Sequence, residues 1–312
     1  MKLVLASLVA AQLAAAGDFA SDLFPANTRV VLGLRVPAIV DSPLFKDVGA
    51  DAKKLGDDWL KVVAFTGFDP LHDIDEVLIA SPADNEKAAV LLVVRGRFDL
   101  ARMGAGAPRY HGIAMMGAGK DNKGVLALLD ANTVLAGDTA AVHAAIDRRG
   151  QAPALDGALA ARVQSLRERF DIWGTGERPE GFVAPTGKNE QLDSLDRFQF
   201  GVRISKGFEV DAELHSRTPK DAEKLAASLQ LMKMMMSGQD QLAPKIDVQV
   251  IDATVKISLA ISEEGLKKVM TARRGTGVPV GGPPVIVSSE STVPLPGSQS
   301  GGTTIVTLPG KK

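Results

Sequence analysis

The stretch FQFGVRISKGFEVDAEL, residues 198–214, alternates twice in succession. Phe198, Phe200, Val202 and Ile204 fall on one side of an extended chain; Phe208, Val210, Ala212 and Leu214 do the same in the next segment. A period of two marks a half-buried strand, and Ser205-Lys206-Gly207 supplies the tight turn of a hairpin. Thr218-Pro219 then opens a helix with Asp221 at the capping-box position. Its apolar seam is Ala222, Leu225, Leu229, Met232 and Met236, and Gly238 ends it. The theme recurs at once. Ile246, Val248 and Val250 form one strand face, and Val255, Ile257, Leu259 and Ile261 the next. Ser262 caps a last helix with Glu263 and Glu264 in its first turn and Arg273 and Arg274 in its last, a placement that suits the helix dipole. A ββα unit repeated this way predicts an α+β fold, with antiparallel sheets and helices packed on one face in two layers.

The first half predicts related elements. Val30, Leu32, Leu34 and Val36 alternate along a strand at 28–36. Ser42-Pro43 starts a helix whose stripe is Leu44, Val48, Ala52, Leu55, Trp59 and Val62, closed by Gly67. Strands follow at 76–80, 88–95 and 110–116, with a short helix at 98–103. That order resembles a ferredoxin-like split βαβ unit. A hairpin at 124–129 and 133–136, helices at 139–148 and 156–169, and a strand at 170–173 lead into the second half. The expected units are therefore 17–150 and 151–274.

The two ends differ from this body. Residues 1–16 read as a secretory signal: Lys2, an apolar run over 3–13, then Ala14-Ala15-Ala16 before Gly17. Export and a mature start at Gly17 are expected, in the periplasm or outside the cell. Residues 275–312 hold eight Gly and six Pro, above the roughly 25–30% at which those residues imply disorder. A disordered tail is expected there. The chain has no cysteine, so no disulfide is available and no Cys-linked lipid anchor. A formal net charge of −1, with both signs mixed along the chain, lacks the basic footprint of a nucleic-acid binder. After the signal no stretch is long and apolar enough to predict a membrane span.

Thr66-Gly67-Phe68-Asp69-Pro70 after the first helix and Leu135-Ala136-Gly137-Asp138 before a later one give the body, roughly residues 23–274, a layout that resembles uncharacterised exported bacterial proteins. That resemblance implies no activity.

Candidate chemistry is sparse. His72, His111, His143 and His215 are far apart in sequence and show no metal-ligand spacing. His72 has oxygen-rich neighbours in Asp69, Asp73, Asp75 and Glu76, but Asp and Pro are also what a turn into a strand uses. Gly119-Lys120 lacks a phosphate loop, because Ala114 stands at the first glycine position and Asp121 follows the lysine. Neither GxSxG nor SxxK occurs. Met232, Met234, Met235 and Met236 offer thioethers, but Met232 and Met236 already belong to a helix seam. On the hairpin at 197–215, Arg197 and Arg203 share a polar face with Glu209, Asp211 and Glu213. No metal and no cofactor are expected.

Residues 174–194 show neither strand nor helix period, and structureless loops beyond about 12–15 residues are usually functional or disordered. Phe182 and Val183 on this segment, beside Trp173, are the expected binding residues. The expectation for the whole chain is an exported, non-catalytic binding or interaction module whose partner is an envelope or extracellular protein. The alternatives are a hydrolase with a carboxylate site, which convergent carboxylates in a cleft would favour, and a carrier of an apolar ligand, which an apolar pocket would favour.

Overall fold

The computed structural model describes residues 19–43, 45, 68–82, 90–118, 124–177, 194–204, 207–236 and 245–266. Its first elements are β1 (Val30–Arg35), α1 (Val36–Asp41), α2 (Pro70–Asp73), β2 (Ile74–Ser81), β3 (Leu91–Gly96) and α3 (Leu100–Met103). Next come β4 (Arg109–Tyr110), β5 (Ile113–Ala118), β6 (Gly124–Asp130), β7 (Thr133–Asp138), α4 (Thr139–Arg148) and α5 (Gly157–Arg169). The chain continues through β8 (Ile172–Glu177), β9 (Leu195–Arg203), β10 (Phe208–Ser216), α6 (Pro219–Met236), β11 (Lys245–Ile251) and β12 (Thr254–Ile261). Mixed helix and strand around one large antiparallel sheet make this an α+β fold. The strand order is β11-β12-β10-β9-β8-β1-β2-β3-β7-β6-β5-β4.

Short polar residues start the helices. The Asp156 carboxylate accepts from the amides of Ala158 and Leu159, so α5 begins there and turns Leu159, Val163 and Leu166 into the core. Asp99 does the same for α3. Before α6 the Asp221 amide donates to the Thr218 hydroxyl, which in turn donates to the Asp221 carboxylate.

Residues that face one another across the ladders share a face of the sheet. One row runs Met115, Ala127, Leu135, Val93, Leu78, Gly33, Trp173, Gly201, Asp211, Ser258 and Asp247. Its first seven positions lie in or beside the main core, where Val142, Ala145 and Ile146 of α4 and Leu159, Val163 and Leu166 of α5 meet the sheet. Its last three are polar. The opposite face reverses the pattern. There the row through Leu32, Gly174, Phe200, Ala212, Ile257 and Val248 reaches a second core under α6, built on Ala222, Leu225, Ala226 and Val255. That face is also covered at β5, β6 and β7, where Phe98 packs with Ala114, Leu128 and Val134, so both faces are dry there, while at β10, β11 and β12 the α6 side is the dry one.

Three expectations are corrected by this arrangement. Helices do not pack on one face: α4 and α5 lie on one side and α6 on the other. The split βαβ unit is not formed, because such a unit inserts a third strand between the first two, whereas β1 pairs β2 directly. Residues 174–177, expected to open a long loop, are strand, held between β1 and β9. The sheet also crosses residue 150 without a break, since β8 joins β1. Of the last expected helix, only the turn at 263–266 lies among the described residues. Most of the expected 42–67 helix and the tail at 275–312 lie outside them. The start of the former is in view, where the Phe45 amide donates to the Ser42 hydroxyl.

Candidate functional site: a polar cleft at the rim of the main core

Two residues along from Gly33, Leu78, Val93 and Leu135, on the same face, runs a second row: Arg35, Glu76, Arg95 and Thr133. Strand alternation that buries Val31 and Leu78 therefore also turns two arginines and a glutamate inward at the rim. The last turns of α5 stand over them and contribute Gln164, Arg167 and Glu168. Together with Asp75 and Asn132 these side chains line a cleft of about 690 Å³.

Glu76 is 9% exposed, and a carboxylate so placed needs a partner. Arg167 supplies it in bidentate form, Nε donating to Oε1 at 2.7 Å and Nη2 to Oε2 at 2.8 Å. Arg35 braces the pair from the next strand, its Nη2 donating to the Arg167 carbonyl at 2.8 Å and its Nη1 lying 3.5 Å from the Asp171 carboxylate. Asn132 donates to the Gly96 carbonyl, and Gln164 to Glu168. Among the described residues neither Asp75 nor Glu168 has a cationic partner. The result is a rigid ion-pair floor with two carboxylates facing the open volume.

Trp173 lies in the core of the described residues. It is 2% exposed, and its indole lies against Gly33, where a Cβ would collide with the ring. Phe182 and Val183 lie outside the described residues. His72 serves its turn: Nδ1 sits 2.6 Å from the Asp69 carboxylate, and the Asp69 amide donates to Asp73. Among the described residues no three His, Asp or Glu side chains converge as metal ligands. On α6 Ala222 and Leu225 are buried as the seam requires, while Met234 is exposed.

The polar face of the β9–β10 hairpin is a paired ladder. Arg203 donates to Glu209 at 2.8 Å and to Asp211 at 3.0 Å, and these bonds, Glu209's foremost, hold its guanidinium further above its ordinary pKa. Lys256 lies 3.3 Å from Glu213. At the far edge of the sheet the Tyr110 ring stacks on His143 at 3.7 Å, and its hydroxyl donates to Asp147.

Arg35, Arg95 and Arg167 were not singled out by sequence reasoning, and Glu76 was noted only among the oxygen-rich neighbours of His72. Their signal was available: Arg35 and Glu76 continue the inward parity of Val31 and Leu78, and charge at a core-facing position demands a partner.

No family model matches the chain, and no curated protein matches it. Among solved structures it is similar to crystal form I of TP0453, with 10% sequence identity and a TM-score of 0.45, over 80% of this chain and 96% of that one. Among the described residues no helix is long and apolar enough to cross a membrane.

Proposed function

We propose that this chain is an exported, non-catalytic binding module, and that the cleft over the Glu76–Arg167 pair holds a polar segment of an envelope or extracellular protein. The observation that supports it is the lining. Arg35, Arg95 and Arg167 face the same volume of about 690 Å³ as Asp75, Glu76 and Glu168, within the roughly 300–1,000 Å³ typical of binding sites. Walls of both signs suit a partner that carries both, and disfavour an apolar ligand, whose entry would strip water from six charged groups. The Glu76–Arg167 floor is already fixed, so binding orders little on the protein's side.

Asp75→Lys and Glu168→Lys reverse the sign of groups that carry no ion pair among the described residues, so folding is preserved. A partner captured from envelope extract by the wild type is lost with both variants at unchanged melting temperature. Equal capture by all three places the partner elsewhere. Export is tested separately: N-terminal sequencing of protein from the native host returns Gly17, and Met1 ends that part of the reading.

The hydrolase reading keeps one observation in its favour, the two carboxylates of Asp75 and Glu168 at one cleft, as acid–base work requires. Turnover of chromogenic ester, phosphate or glycoside substrates, lost in both Asp75→Asn and Glu168→Gln, would replace the binding proposal.

A further inference from the structure

The two edges of the sheet are built differently. At one end β4 has two residues, preceded by Pro108 and followed by a turn in which His111 and Gly112 have φ of 48° and 82°. A short edge broken by proline and a twisted turn resists further pairing. At the other end β11 has seven residues, KIDVQVI, paired with β12 along its whole length without a bulge. It contains no proline, and among the described residues no strand lies beyond it. Val250 and Ile251 on this edge are 38% and 50% exposed. A long, regular, partly apolar edge is a template for another strand.

We infer that β11 pairs with β11 of a second copy of this chain, antiparallel and about a two-fold axis at Val248. This goes beyond the cleft reading and does not depend on it. The sequence of the strand is complementary to itself in that register. Ile246 meets Val250 twice, on the face that α6 covers. Asp247 meets Gln249 twice on the polar face, where within one chain the Gln249 side chain already donates to the Asp247 carboxylate at 2.6 Å. The same exchange across the axis gives each carboxylate an amide donor. Moving the axis one residue to Asp247 would set two carboxylates face to face, and like charges directly opposite are destabilising. Self-pairing also withdraws Val250 and Ile251 from water, since Lys245 lies opposite Ile251 and shields it with its methylene stem.

Gln249→Asp and Gln249→Lys test this with opposite signs. In the pair, Gln249→Asp places two carboxylates against two others; within one chain it loses the bond to Asp247 on the exposed face but lies opposite Lys256, so the fold is kept. Gln249→Lys places two ammonium groups against the two Asp247 carboxylates. Sedimentation equilibrium of the full chain is expected to show a dimer, with a dissociation constant about tenfold higher for Gln249→Asp and about tenfold lower for Gln249→Lys. Circular dichroism checks that all three are folded. A wild-type chain that stays monomeric up to about 100 μM overturns the inference. So does a dimer whose affinity neither substitution moves, because its interface then lies elsewhere.

Discussion

The indole of Trp173 occupies the space that a side chain at Gly33 would fill. The two residues face each other across the β1–β8 ladder, and Trp173 is buried beneath α5. Gly33→Ala is therefore expected to lower stability by about 1–3 kcal/mol through overpacking. Trp173→Ala should cost about 3–5 kcal/mol through the cavity it leaves. Combined, the two should cost less than their sum, because the cavity accepts the new methyl group. Urea unfolding of the four proteins measures this, and strict additivity would contradict the contact.

Glu76 and Arg167 should behave as one unit. Their side chains are 12% and 21% exposed, so removing either leaves a poorly hydrated charge. Glu76→Leu and Arg167→Met are each expected to cost about 3–5 kcal/mol, whereas the two together recover most of that loss. A double-mutant cycle in urea reads the difference. Small, additive effects would mean that the pair is solvated and the cleft has no fixed floor.

Much of the fold was legible in the sequence because strands with one covered face alternate cleanly. On β12 Val255 is buried and Ile257, Leu259 and Ile261 are half-buried while Lys256, Ser258 and Ala260 are exposed, so period two identifies both strand and side; β9 alternates as cleanly although Phe170 also covers Gly201 on its other face. β1 misled in part. Its apolar set Val30, Leu32 and Leu34 is half-buried, while Val31, on the face with two arginines, is fully buried. Both faces of β1 are covered, and alternation then says nothing about which is deeper. Trp173 was placed near a surface for a similar reason. Gly174 and Gly176 weaken the local strand pattern, and the glycines are there because Leu32 and Val30 of the next strand press against them. The cleft required register: nothing local says that Arg35, Glu76, Arg95 and Thr133 share a row.

Phe182 and Val183 remain a sequence-based prediction. Replacing both with Ser is expected to weaken capture of the envelope partner while leaving the melting temperature nearly unchanged. A sharp fall in melting temperature with intact capture would assign the two residues to packing instead.

Tyr110 offers a direct spectroscopic test of the cluster at the sheet's far edge. It is the chain's one tyrosine, so the absorbance of phenolate formation reports on it alone. Burial first, and then the hydrogen bond to and the charge of Asp147, raise its pKa above the ordinary value of about 10. The phenolate is the disfavoured form in both respects. Asp147→Asn removes the repulsion and should bring the titration down towards its ordinary position. A titration identical in both proteins would show that the hydroxyl is not held by Asp147.

His215 should make stability depend on pH in a definite direction. Burial, and next the positive charge of Arg197, push its pKa below the ordinary range, against the pull of Glu213. Arg197 lies directly across the β9–β10 ladder, the Glu213 carboxylate lies 3.8 Å from Nε2, and Nδ1 is 3.0 Å from the Thr254 hydroxyl. An unfolded chain takes up this proton near pH 6.5, while the folded chain resists it. The unfolded state thus binds more protons in that interval, and stability must fall as pH drops. The contribution is fully present above about pH 6.5. It is lost as pH falls through the depressed folded value, below which both states are protonated. His215→Gln should remove this component, so the difference in unfolding free energy between wild type and variant changes across that interval and is flat above it. A difference that grows in the wild type's favour on acidification would reverse the sign and show that Glu213, not burial or Arg197, dominates the imidazole.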